Sequence, residues 1–254
     1  MAPRRQLTST LALVTFAATV LASMPSAAAA QSARTVRVTL TDAGCPARLT
    51  LRAGTTTFEV TNDGADDVSE FEILEGHTVV GEKENLAPGL SGSFDVTLKA
   101  GAYTTYCPGG ARERGKLVVT GATRSGQAAG AGTTTRVAVT LGEYTIRARP
   151  LSVPAGTVRF AVRNTGGLVH EFVVARGSSA TLTTAPDGSV AEDQIAKADQ
   201  LGELEELGHG DTATLTARNL TPGTYVLFCN VVDKSGGTTV SHFANGMHAT
   251  LTVH

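Results

Sequence analysis

The chain has 254 residues, of which 41% are hydrophobic and 17% charged, with a formal net charge of −2 and no Trp. No block of Lys and Arg stands out, which excludes a surface built to neutralise nucleic-acid phosphates. Thr, Val, Ala and Gly dominate, a mix that favours β-strands joined by tight turns and leaves little room for long helices.

Taken from the N-terminus, Arg4 and Arg5 precede an apolar run from Leu11 to Leu21 and a small-residue stretch from Ser26 to Ala30. That order predicts a secretory signal peptide over 1–30, cleaved near Ala30–Gln31. The apolar run is short for a membrane span, and no second long one follows. No Cys directly follows the small-residue stretch, so no bound lipid is expected. The expectation is a monomer that is secreted, periplasmic or at the cell surface. The remaining chain is long enough for two domains of about 100 residues each.

Those two domains are predicted at 34–120 and 136–254, joined by a flexible linker over 121–135 that holds no large apolar residue to bury. The flanking segments resemble each other. Phe58 and Asn62 match Phe160 and Asn164, Glu70-Phe71 matches Glu171-Phe172, and Gly101, Tyr103 and Cys107 match Gly223, Tyr225 and Cys229. The pattern is one domain found twice. Each copy alternates apolar and polar residues: Val36, Val38 and Leu40 with Arg37 and Thr39, and Val158, Phe160 and Val162 with Arg159, Ala161 and Arg163. Period two with Gly-punctuated turns predicts an all-β chain of two tandem antiparallel sandwiches. One helix is predicted, from Ala191 to Leu204, as a surface insertion.

The second copy carries a ligand set. A type 1 copper centre needs two imidazoles and a thiolate in a trigonal plane with a weak axial thioether. His170, Cys229, His242 and Met247 supply those donors in the expected order. Met247 is the only Met outside the signal peptide, which contains Met1 and Met24.

On those residues the second copy resembles the cupredoxin family, whose fold is a Greek-key β-sandwich, across nearly all of 137–254. It is most similar to the sulfocyanin-like subgroup through Cys229-Asn230-Val231, His242 and Gly246-Met247. Ser241 replaces the Gly that subgroup has before the His. The stretch 232–241 makes the Cys-to-His loop long, and its Gly236-Gly237 pair predicts a small hairpin. The resemblance implies one type 1 copper ion.

The first copy has Ser69 where His170 stands and Lys116 where Met247 stands, which excludes the same site there. For Cys45 and Cys107, an odd cysteine count in an exported chain favours a structural disulfide. The alternative comes from a resemblance to the cupredoxin-like domain of periplasmic EfeO-type iron-uptake proteins, through Cys45-Pro46, the run from Phe71 to Gly89, and Gly101 to Gly110. It implies a metal site drawing on Cys45, Cys107, Glu72, Glu82 and Glu84. The large metallopeptidase-like domain of those proteins has no counterpart in this sequence.

With six His and no His-x-His pair, the sequence offers too few imidazoles for a multicopper oxidase, so no enzyme activity is expected. The expected function is single-electron transfer through copper. The competing reading is capture of copper or iron and its delivery. The partner is a redox protein, or a membrane transporter or oxidase.

Overall fold

The structure is a computed structural model that describes residues 34–121, 134–234 and 237–254. The expected signal peptide and nearly all of the expected linker lie outside these residues. The first repeat contributes β1 (Arg34–Leu40), β2 (Arg48–Arg52), β3 (Gly54–Asn62), β4 (Phe71–Glu75), β5 (Thr78–Lys83), β6 (Ser91–Leu98), β7 (Gly101–Tyr106) and β8 (Arg114–Thr120). The second contributes β9 (Thr134–Gly142), β10 (Thr145–Arg149), β11 (Ser152–Val153), β12 (Gly156–Asn164), β13 (His170–Arg176), β14 (Gln200–Leu207), β15 (Thr212–Leu220), β16 (Gly223–Phe228), β17 (Val232–Asp233), β18 (Val240–Ser241) and β19 (His248–Val253).

The alternating residues do what their period requires. In β1, Val38 and Leu40 are buried while Arg37 and Thr39 face water. In β12, Val158, Phe160 and Val162 are buried while Arg159 and Arg163 are exposed. Each repeat packs two sheets around its own core. In the first, Phe58 stacks on Phe94 at 5.2 Å between ring centroids and meets Phe71 at 5.7 Å. The matching pair in the second is Phe160 and Phe172, 5.4 Å apart. The chain is therefore all-β, two Greek-key sandwiches in tandem, with sheets β1-β3-β6 and β10-β9-β12-β15 on the outer sides.

The other two half-sheets are not separate. They join into one ten-stranded sheet, β11-β19-β16-β13-β14-β5-β4-β7-β8-β2, in which β14 of the second repeat pairs antiparallel with β5 of the first. The Glu205 N–H donates to the His77 carbonyl at 2.7 Å, and His77 Nδ1 lies 2.8 Å from the Glu205 carbonyl. Arg114 forms an ion pair with Glu206. The polar, apolar-free linker predicts few contacts between repeats; the structure corrects this, and residues Ala33–His254 form one compact unit. The physical reason is the edge strand. β5 and β14 would each expose unpaired backbone groups, and each satisfies the other.

The predicted helix over 191–204 is also corrected. It is a 3-10 turn at Glu192–Gln194 followed by β14. Along β14, Leu204 and Leu207 enter the sandwich core, while Glu203 and Glu205 are buried on the opposite face.

Candidate metal centre

Four strand ends meet at one end of the second sandwich. His170 opens β13, Cys229 follows the last residue of β16, His242 follows β18, and Met247 precedes β19. Antiparallel pairing of β16 with both β13 and β19 places Cys229 between the other two strands. All four residues are buried, with exposures of 0–1%.

Three donors converge. His170 Nδ1 and His242 Nδ1 are 3.1 Å apart, and Cys229 Sγ lies 3.4 Å from His242 Nδ1 and 3.9 Å from His170 Nδ1. For metal bonds of about 2.0–2.3 Å spread at 120°, neighbouring donors should be about 3.5–4 Å apart. The two edges to Cys229 Sγ come close to that spacing, and the shorter His–His edge corresponds to an angle of about 100° at the metal, so the triangle suits a distorted three-coordinate site. Met247 shares the core cluster of Cys229. Its N–H donates to the His242 carbonyl at 3.0 Å, and its carbonyl accepts from the Cys229 N–H at 3.1 Å. The donor chemistry, two borderline nitrogens with a soft thiolate and a thioether, suits copper.

The supports of this site lie in the loops around it. Asn164, fully buried, donates to the carbonyls of Leu168 and Leu207, both at 2.7 Å, and accepts from the Gly166 N–H at 2.8 Å. It thereby fixes the loop that delivers His170. Asn62 does the same in the first repeat, donating to Ala65, Val68 and Leu86 carbonyls. The Asn62–Asn164 match is visible in the sequence; its structural role becomes plain only from these bonds. Ser241 holds the His242 turn, donating to the Gly188 carbonyl at 2.7 Å and accepting from the Ala244 N–H at 3.1 Å. The predicted hairpin is present as β17 paired with β18, and the His242 N–H donates to the Val231 carbonyl at 2.9 Å to bring His242 back. Tyr144 meets the His242 ring edge-on, 5.3 Å between centroids.

Burial, reinforced by the neighbouring His242, pushes the His170 imidazole down to about 4, and burial also lowers His242. Both are therefore neutral near pH 7, with lone pairs free for a metal. Burial, and then the charge of Glu171, raises the Cys229 thiol, so a metal must displace its proton. The Glu171 N–H donates to Cys229 Sγ at 3.3 Å.

Beside the site, Ala244 and His248 are exposed. Phe243 is buried against Phe228, 5.7 Å between rings, whereas Leu168 and Val169, just before His170, are 36% and 50% exposed.

In the first repeat, Cys107 stands where Cys229 stands and is disulfide-bonded to Cys45, with a Cα–Cα distance of 5.4 Å. Both sulfurs are consumed, so neither is a ligand in this state. Glu72 pairs across the strands with Tyr106, next to Cys107, and Glu82 pairs with Glu72. Glu82 and Glu84 line a cleft shared with Glu192 and Glu203 of the second repeat.

Residues 12–119 match the family model of a cupredoxin-like domain. The iron uptake system component EfeO of Escherichia coli K12 is 41% identical over 87 residues, which are 34% of this chain and 23% of the relative; the Shigella flexneri protein gives the same figures. The chain thus spans about a quarter of the length of these relatives. Among solved structures, auracyanin of Roseiflexus castenholzii is 27% identical, covers 49% of this chain and 99% of its own, and superposes with a TM-score of 0.35. A copper nitrite reductase of Thermus scotoductus is 16% identical with a TM-score of 0.29, covering 85% and 56%. No helix among the described residues is long and apolar enough to cross a membrane.

Proposed function

We propose that this protein works outside the cytoplasm as a single-electron carrier, using one type 1 copper ion held by His170, Cys229, His242 and Met247. The observation that carries the reading is the donor triangle of 3.1, 3.4 and 3.9 Å, buried at one end of a rigid sandwich. Copper supplies reversible one-electron chemistry when bound. The chain supplies the rest. Strand ends and the Asn164 and Ser241 bonds hold the donors in place, so little rearrangement accompanies a change of charge. The hydrogen bond from Glu171 to the sulfur withdraws electron density from the thiolate and favours the reduced state. Burial of all four ligands excludes water. Exposed Leu168 and Val169 beside His170 offer a docking edge for a redox partner.

Capture and delivery of a metal to a membrane transporter or oxidase is the second reading, supported by the likeness of the first repeat to EfeO. No catalytic turnover is proposed, because six His without a His-x-His pair do not suffice for an oxygen-reducing copper cluster.

Copper loading tests the assignment. The oxidised protein should show an intense thiolate-to-copper band in the visible range, reversible voltammetry and one copper per chain. Cys229→Ser should lose the band. A band that survives in Cys229→Ser refutes the site; a band without reversible voltammetry favours delivery.

A further inference from the structure

The seam where β5 meets β14 gathers an unusual number of carboxyl groups. Glu70, Glu72, Glu82 and Glu84 of the first repeat meet Glu171, Glu192, Glu203 and Glu205 of the second; burial, and then neighbouring carboxylates of the group, raises Glu72, Glu84, Glu171 and Glu203 well above the usual carboxylate range. Glu72, Glu192, Glu203 and Glu205 are 3–7% exposed. The ion pairs among the described residues, Arg37–Glu59 and Arg114–Glu206, involve none of the eight. Against the larger effect of burial, Lys234 acts to lower Glu70, Lys197 and Lys83 to lower Glu82, and Lys83 to lower Glu84, while the Lys83 ammonium donates to the Glu84 carbonyl.

Within the cluster the donors are organised. One carboxylate oxygen from each of Glu171, Glu203 and Glu205 lies within 4.8 Å of the others. Oxygens on one ion at about 2.3–2.6 Å are at most about 4.6–5.2 Å apart, so these three can share it. Glu72 adds the decisive feature. Its Oε2 is buried without a hydrogen-bond partner, and Glu205 is the charge that acts on it most strongly. A buried acceptor left open costs about 1–3 kcal/mol or more, so a fold that keeps one beside three converging carboxylates has reason to fill it. A cleft of about 630 Å³ between the repeats, lined by Glu82, Glu84, Glu192 and Glu203, leads to the same seam.

We propose that Glu171, Glu203 and Glu205, closed by Glu72 from the other repeat, bind a hard, oxygen-seeking multivalent cation. All-carboxylate donors select such ions, while the nitrogen and sulfur set at the sandwich end selects copper, so the two sites sort metals by softness. The ion would neutralise the seam and lock the repeats together. The carboxylate donors are not used by the copper reading, although the Glu171 N–H donates to Cys229 Sγ.

Tb³⁺ is a suitable probe for the full chain. Tyr106 is paired with Glu72 across β4 and β7 and lies within the field of Glu205 and Glu72, so it should sensitise Tb³⁺ luminescence, and no Trp competes. Expected are saturable luminescence, competition by Ca²⁺, and calorimetric binding of one ion. Glu203→Gln with Glu205→Gln should weaken binding by more than the about 10-fold that loss of an outer-shell partner costs. Tyr106→Phe should remove the luminescence and keep the calorimetric binding. Cys229→Ser should change neither. Should the double Gln variant be hard to handle, Glu72→Gln provides the second variant. In the metal-free state these variants should melt at or above wild type, because they remove buried repulsion. Equal Tb³⁺ affinity in wild type and the Gln variants overturns the proposal, as does luminescence that persists in Tyr106→Phe.

Discussion

Removing the Cys45–Cys107 bond tests how the first repeat is held. The two cysteines are 62 residues apart in sequence, and both are buried in the core beside Val68 and Phe71. In the chain-entropy account, opening a loop of that length frees the unfolded chain by 2.1 + 1.5R ln 62, or about 14 cal/mol/K, which is about 4 kcal/mol at 25 °C. Domains of this kind hold about 5–15 kcal/mol in total, so the loss is a large share. The perturbation is Cys45→Ala with Cys107→Ala, compared with wild type in urea and followed by far-ultraviolet circular dichroism and Tyr fluorescence. With slopes of about 1–3 kcal/mol/M, the midpoint of the first repeat should fall by roughly 1–4 M. Copper stoichiometry, measured under native conditions, should stay at one per chain, because all four proposed copper ligands lie in the second repeat. A loss under about 1 kcal/mol refutes the entropic argument. Loss of copper by the double variant refutes the separation of the disulfide from the metal centre.

Copper binding should release about one proton at pH 7, because the Cys229 thiol is raised by burial while the imidazoles are already neutral; apparent log affinity should then rise by about one per pH unit from 6 to 8, and zero release by indicator titration contradicts this. Stability of the cation-free protein should fall from pH 6.5 to 8.5. Burial raises Glu70 to about 7 and Glu205 to about 8, so their contribution is complete below the unfolded value near 4.5 and is lost as pH climbs through those values, by up to about 1.4 kcal/mol per unit for each. His170, lowered to about 4, acts in the opposite sense only below its unfolded value near 6.5, which is why the window starts there; a flat or rising melting temperature refutes the reasoning. Asn164→Ala leaves the Leu168 and Leu207 carbonyls and the Gly166 N–H without their partner, which should cost about 1–3 kcal/mol and broaden the copper band as His170 loosens; an unchanged spectrum and midpoint count against its positioning role.

The strands, the duplication and the residues that converge at the end of the second sandwich were legible in the sequence because each is a local signal. Alternation at period two records which face of β1 or β12 is buried, and His170, Cys229, His242 and Met247 are donor types whose order along the chain survives folding. What tertiary structure decided is the seam. Residues 191–204 are rich in helix formers, yet β14 is a strand, because its edge completes the backbone pairing of β5 and its Leu residues complete the core. Glu203 and Glu205 look like a solvated face in sequence, since burial of a carboxylate depends on what lies opposite. Here the opposite wall is Glu70, Glu72, Glu82 and Glu84, more than a hundred residues away in the chain, and only the joining of the two half-sheets brings them together.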